Sequence, residues 1–95
     1  ASLPIDELRA LAENVVGRAN RQSEGGVGAS FDVRVASTID LIDHGEAGVG
    51  LENLAQNIFE FDVPVSRAEF LTIERAGTAF GLAPNAWTFL EPLIR

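Results

Sequence analysis

Ser30-Phe31-Asp32-Val33-Arg34-Val35-Ala36-Ser37-Thr38-Ile39-Asp40-Leu41-Ile42-Asp43 is the stretch on which the fold class turns. Phe31, Val33, Val35, Ser37, Ile39 and Leu41 alternate with Asp32, Arg34, Ala36, Thr38 and Asp40, which is the period of a strand. Phe31, Val35, Thr38, Ile39 and Ile42 also fall on one helical stripe. The stretch is long for a strand. Ser30 can cap a helix, His44 suits a helix end, and Gly45 can supply the left-handed stop. The reading is a helix from Ser30 to Asp43, because a lone strand in a helical domain has nothing to pair with.

The segments on either side read as helices. Upstream, Leu8, Leu11, Ala12, Val15, Val16 and Ala19 recur at threes and fours. Pro4 suits a first turn, Asp6 and Glu7 complement the positive end of the helix dipole, and Arg18 and Arg21 sit near the negative end. Gln22 to Ala29 holds Gly25, Gly26 and Gly28 and reads as a loop. It is not a phosphate cradle, since no strand precedes it and no lysine follows.

Downstream, Glu46 to Phe61 reads as a helix. Ala47, Leu51, Leu54, Ala55, Ile58, Phe59 and Phe61 cover one face, and Glu52, Asn53, Gln56, Asn57 and Glu60 line the other. Pro64 then imposes an extended link. Ser66 and Glu69 have the spacing of a capping box, with Val65 and Phe70 placed as a hydrophobic staple. Phe70, Ile73, Gly77 and Phe80 carry a buried stripe that Gly81 ends, with Leu82 able to fold back. Pro84 opens a short last helix that offers Trp87, Leu90 and Leu93 to the core and is limited by Pro92. The expected fold is all-α: one domain over residues 1–95, a compact bundle of four to five helices.

The chain has 95 residues and no cysteine, which removes disulfides, zinc–thiolate sites and thiol nucleophiles together. No apolar run approaches the roughly 20 residues of a membrane span, and the start, Ala1 to Asp6, lacks a leader pattern. The absence of an initiator Met leaves open whether residues precede Ala1. A cytoplasmic location is expected. Fourteen acidic residues face seven basic ones, all arginine, for a net charge of −7. That charge repels nucleic acid and anionic membranes and attracts basic proteins. Solubility alone also accounts for it.

Catalysis has little to stand on. His44 is the only histidine, no lysine exists for a Schiff base, and no Gly-x-Ser-x-Gly elbow is present. Asp40, Asp43, His44 and Glu46 lie close enough in sequence to consider a divalent metal. Their spacing matches neither the calcium loop nor the di-iron bundles. A carboxylate pair for glycoside hydrolysis would need a sugar-sized cleft, which a domain this small rarely has. No enzyme activity, metal or cofactor is expected. What remains is an acidic surface. From Val35 to Ser66 there are six acidic residues and no arginine or lysine, and unpaired like charge is easiest to explain if a basic partner offsets it.

The stretch Leu41-Ile42-Asp43-His44-Gly45-Glu46-Ala47-Gly48-Val49-Gly50-Leu51-Glu52-Asn53-Leu54, followed by Phe59-Glu60-Phe61-Asp62-Val63-Pro64-Val65-Ser66, resembles small helical immunity proteins of bacterial polymorphic toxin systems. These include the contact-dependent growth inhibition and Maf-type antidotes. In that pattern an acidic residue and Gly-Glu open a helix carrying Leu-Glu-Asn-Leu. An aromatic–acidic–aromatic run and a Pro-Leu-Ser-like cap follow. Val65 stands where Leu is usual, and Phe59 and Phe61 where Tyr is common. The resemblance covers about the central third to half of the chain. It implies a cytoplasmic protein that neutralises a toxin, often a nuclease, by tight one-to-one binding. By position Asp43, Glu46, Glu52, Asn53, Glu60 and Asp62 match the motif.

The partner-binding set expected from these readings together is Asp40, Asp43, Glu46, Glu52, Asn53, Gln56, Glu60 and Asp62. The partner expected is a basic protein toxin, neither nucleic acid nor membrane. A helical adaptor or subunit of a larger assembly is the alternative.

Overall fold

The computed structural model describes residues 4–22 and 26–95; over 19–22 and 26–34 the description is of the backbone alone. Four α-helices follow one another: α1 Pro4–Gln22, α2 Gly26–Asp43, α3 Ala47–Glu60 and α4 Arg67–Ala79. Two 3-10 helices, Pro84–Ala86 and Thr88–Leu93, complete the chain. The 30–43 stretch is helical throughout. Where its side chains are described, Val35, Thr38 and Ile42 are buried and Ile39 partly so, which is the 3.6-residue stripe and not the alternation. Among the described residues no strand forms beyond one isolated parallel bridge, Val65 to Ile94.

The expected loop from Gln22 to Ala29 is mostly helix instead. α1 runs to Gln22 and α2 begins at Gly26, so Ser30 lies inside α2 and not at its cap. Residues 23–25 lie outside the described residues. A glycine costs only about 1 kcal/mol in a helix interior. Extending α2 backwards satisfies backbone groups that a loop would leave to solvent, and α2 packs along α1. The last expected helix is two 3-10 turns and not one α-helix. Pro92 has no N–H to donate and sits within the second of them.

α1 packs between α2 and α4, α3 lies along α2, and the second 3-10 helix closes over α3. Leu8, Leu11, Ala12 and Val15 of α1 meet Leu51, Leu54, Ala55 and Ile58 of α3 and Phe70, Ile73 and Ala76 of α4 in one core. Trp87, Leu90 and Leu93 join it from the carboxy-terminal turns, as their spacing predicts. The Cα radius of gyration is 12.2 Å, and about 12 Å is expected for a single compact body of this length.

All three turns after α2, α3 and α4 use one device. Glu46 N–H donates to Leu41 O and Gly45 N–H to Ile42 O. Val63 donates to Ile58 and Asp62 to Phe59, and Leu82 donates to Gly77 and Gly81 to Thr78. Each is a Schellman pair, which needs a residue with positive φ. Gly45 (φ 83°), Asp62 (φ 54°) and Gly81 (φ 80°) supply it.

Candidate functional site

The turn from α2 to α3 holds Asp40, Asp43, His44 and Glu46, and of these Asp40 Oδ1 and His44 Nδ1 come within 3.5 Å. Asp43 is not unmatched: its carboxylate pairs with Arg9 of α1, 34 positions away. This corrects the expectation that the acids between Val35 and Ser66 lack bases, because α1 packs along α2 and supplies one. His44 Nδ1 lies 2.7 Å from the carbonyl of Asp40. A carbonyl only accepts, so Nδ1 carries the proton and the ring closes the helix end. Glu46 stands at the N-cap of α3 without a side-chain capping bond and is exposed, as is Asp40. Among the described residues no group of three or more acidic or histidine side chains is arranged to hold a metal ion.

α3 presents two faces, divided differently from the sequence reading. Asn57 is buried, and its Nδ2 donates to Asn53 O at 2.9 Å and to Asn53 Oδ1 at 3.2 Å. The hydroxyl of Thr38, itself buried in α2, donates to the same Asn53 Oδ1. Asn53 and Asn57 therefore belong to a polar seam between α2 and α3, and not to the solvent face on which their sequence positions placed them. The seam forms because Thr38 leaves a buried hydroxyl that needs an acceptor, and two asparagines one turn apart supply it. Asn53 is half-buried in the seam, whereas Asn57 is fully covered.

Glu52, Gln56 and Glu60 are exposed as expected. Phe59 is not in the core: it leaves 49% of its surface exposed, as does Val49. The Phe59 ring meets Phe89 of the second 3-10 helix edge-on, with centroids 5.4 Å apart and planes at 89°.

Beyond α3, Asp62 is exposed and takes the left-handed position of the second Schellman turn. Its place in the motif thus has a backbone reason as well as a charge. The link then runs into the Ser66–Glu69 capping box, which forms as its spacing predicts, with Glu69 N–H donating to Ser66 Oγ at 3.1 Å and Ser66 N–H to Glu69 Oε1 at 2.8 Å. Val65 and Phe70 are both buried beside it.

The box also receives a partner that no local spacing announces. Arg18 of α1 donates to both oxygens of Glu69, at 2.8 and 2.7 Å, and to the carbonyl of Pro64 at 2.8 Å. Burial pushes the Glu69 carboxyl up, but the hydrogen bonds from Arg18 and Ser66 outweigh it and hold the group below its ordinary value. The Glu69 hydrogen bond raises Arg18 against a smaller effect of burial. A shallow cleft of about 280 Å³ lies between Arg18, Pro64, Val65, Ser66 and Arg95. Glu69 balances the Arg18 charge there.

The structure thus brings Asp40, Glu46, Glu52, Gln56, Glu60 and Asp62 to exposed positions along α3 and its two flanking turns. Asp43 is engaged by Arg9 and Asn53 by the polar seam. Among the described residues no helix is long and apolar enough to cross a membrane. Comparison of the chain with known protein families, curated proteins and solved structures finds no match.

Proposed function

We propose that this chain is an immunity protein that binds a basic toxin domain, a nuclease, and covers its substrate groove. One observation carries the reading. Asp40, Glu46 and Glu52 are exposed along one helix and the turn at its start. The chain has no arginine or lysine between Val35 and Ser66, and among the described residues Arg9 reaches in to Asp43. Carboxylates so placed occupy positions that the phosphates of a nucleic-acid substrate would take, so binding by itself inhibits. The resemblance of the 41–66 region to antidote proteins points the same way. In this reading the protein performs no chemical step and acts in the cytoplasm of the cell it protects.

The test is co-expression with the product of the neighbouring reading frame, followed by association kinetics as ionic strength rises. Long-range attraction acts chiefly on the association rate. It should weaken as the screening length falls from about 10 Å at 0.1 M salt to about 3 Å at 1 M. Reversing Glu46 and Glu52 to Lys should slow association and reduce protection while leaving the fold intact, since both are exposed. Asp43 is unsuited to the reversal, because a lysine there would face Arg9. A salt-independent rate, with the double variant still protective, would reduce the acidic face to a solubility device.

A further inference from the structure

We infer that the partner seats an apolar side chain against Phe59, and that the acids around it steer while Phe59 anchors. The inference rests on the antidote reading and adds to it where the binding energy lies.

Leu51, Leu54 and Ile58, the other large apolar residues of α3, are fully or nearly fully buried. Val49 and Phe59 are the exceptions, each 49% exposed. They lie on one outward stripe with Glu52 and Gln56, at steps of three, four and three residues. Ten residues of helix put the two apolar ends about 15 Å apart, with the polar pair between them. Neither Glu52 nor Gln56 has a hydrogen bond or ion pair among the described residues, so both are available to an outside group. Phe59 is held from behind by the edge-on contact with Phe89. An aromatic ring fixed before binding gives up little rotamer freedom when it is covered. Such rings, rimmed by polar groups, are where binding energy concentrates in protein interfaces.

Charge selects the occupant. A second copy would set one acidic stripe against another on a chain of net charge −7. Nucleic acid and anionic membrane are repelled for the same reason. The surface fits a protein that presents an apolar side chain flanked by arginine or lysine, the apolar group on Phe59 and the cations on Glu52 and Glu46. Of the motif residues, Asp43, Asn53 and Asp62 then serve the scaffold, through Arg9, Thr38 and the left-handed turn respectively.

The experiment uses the purified toxin domain encoded beside this chain and measures both rate constants for wild type, Phe59→Ala, Val49→Arg, Glu52→Lys and Asp62→Gly, with amide spectra to confirm folding. Phe59→Ala should weaken binding by at least about tenfold, mainly through faster dissociation. Val49→Arg, which places a like charge before a basic partner at an exposed site, should weaken it too. Glu52→Lys should slow association, and Asp62→Gly should leave both rates within about twofold of wild type. Folded Phe59→Ala and Val49→Arg proteins that bind as tightly as wild type would overturn the anchor while leaving the antidote reading intact. A wild-type chain that neither binds nor protects would overturn both.

Discussion

Asp62 is the one non-glycine among the described residues with a positive φ. An L-residue pays about 1 kcal/mol or more to adopt that conformation, and aspartate tolerates it better than most. Asp62→Gly should therefore raise the urea midpoint, by about 0.5 to 1 kcal/mol of stability, once the greater chain freedom of glycine is subtracted. Gly77 works in the opposite sense. A Cβ there would lie 2.2 Å from Cζ3 and 2.6 Å from Cε3 of Trp87, rigid ring atoms that are themselves buried in the core. Gly77→Ala should destabilise by about 1 to 3 kcal/mol, although alanine is the better helix former. Gly48 is the control. Its nearest neighbours would be Leu82 Cδ2 at 3.6 Å and Phe80 Cβ at 3.9 Å, ordinary contacts, so Gly48→Ala should be neutral or stabilising by up to about 1 kcal/mol. The three midpoints, measured side by side, separate backbone conformation from space. Sequence placed Gly77 on the buried stripe of α4, but not the indole that lies against it. That contact joins elements with no shared pattern.

At the scale of elements, the start of α4 is where the fold is most tightly specified. Ser66→Ala should cost about 1 kcal/mol through the cap. Glu69→Gln should cost more near neutral pH, because Glu69 serves the cap and Arg18 together. The sign with pH follows from the carboxyl being held below its ordinary value of 4.5. A depressed group contributes its stability fully above that ordinary value and loses it as pH falls through the folded-state value. Wild type and Glu69→Gln should therefore differ most at neutral pH and converge in acid, which denaturation midpoints at several pH values will show. The box was legible because its partners are three residues apart, a spacing that a helix fixes. The arginine that completes it lies 51 positions away, and no local pattern announces such a pair. The asparagines of α3 illustrate the same limit. Their polarity put them on the solvent face, and only the buried hydroxyl of Thr38, from another helix, explains why they turn inward. Helix type and order could be read from periodicity and stop signals. The start of α2 could not, since glycine marks a loop by its average habit and not by its neighbours.

For the whole molecule, α1 is a strut whose arginines tie down an acidic body. Arg9 holds the end of α2 and Arg18 the start of α4, so one helix fixes both corners that flank α3. The two corners differ in strength. The Arg9–Asp43 pair is open to water and should contribute no more than about 0.5 to 1 kcal/mol, whereas the Arg18–Glu69 pair is bidentate and mostly covered. Arg18→Ala should therefore lower the thermal midpoint well beyond what Arg9→Ala does. The acidic face was legible as composition; the division of its members between scaffold and surface was not, because that depends on which helix lies across which turn. One further consequence follows from the parallel bridge between the link and the carboxy-terminal segment. Val65 N–H donates to Leu93 O at 3.1 Å, and Arg95 N–H returns to Val65 O at 2.9 Å. Two amides remote in sequence are thus latched by one another, and neither can meet solvent unless the segments part. In deuterium exchange they should behave as a single opening unit, with matched protection factors.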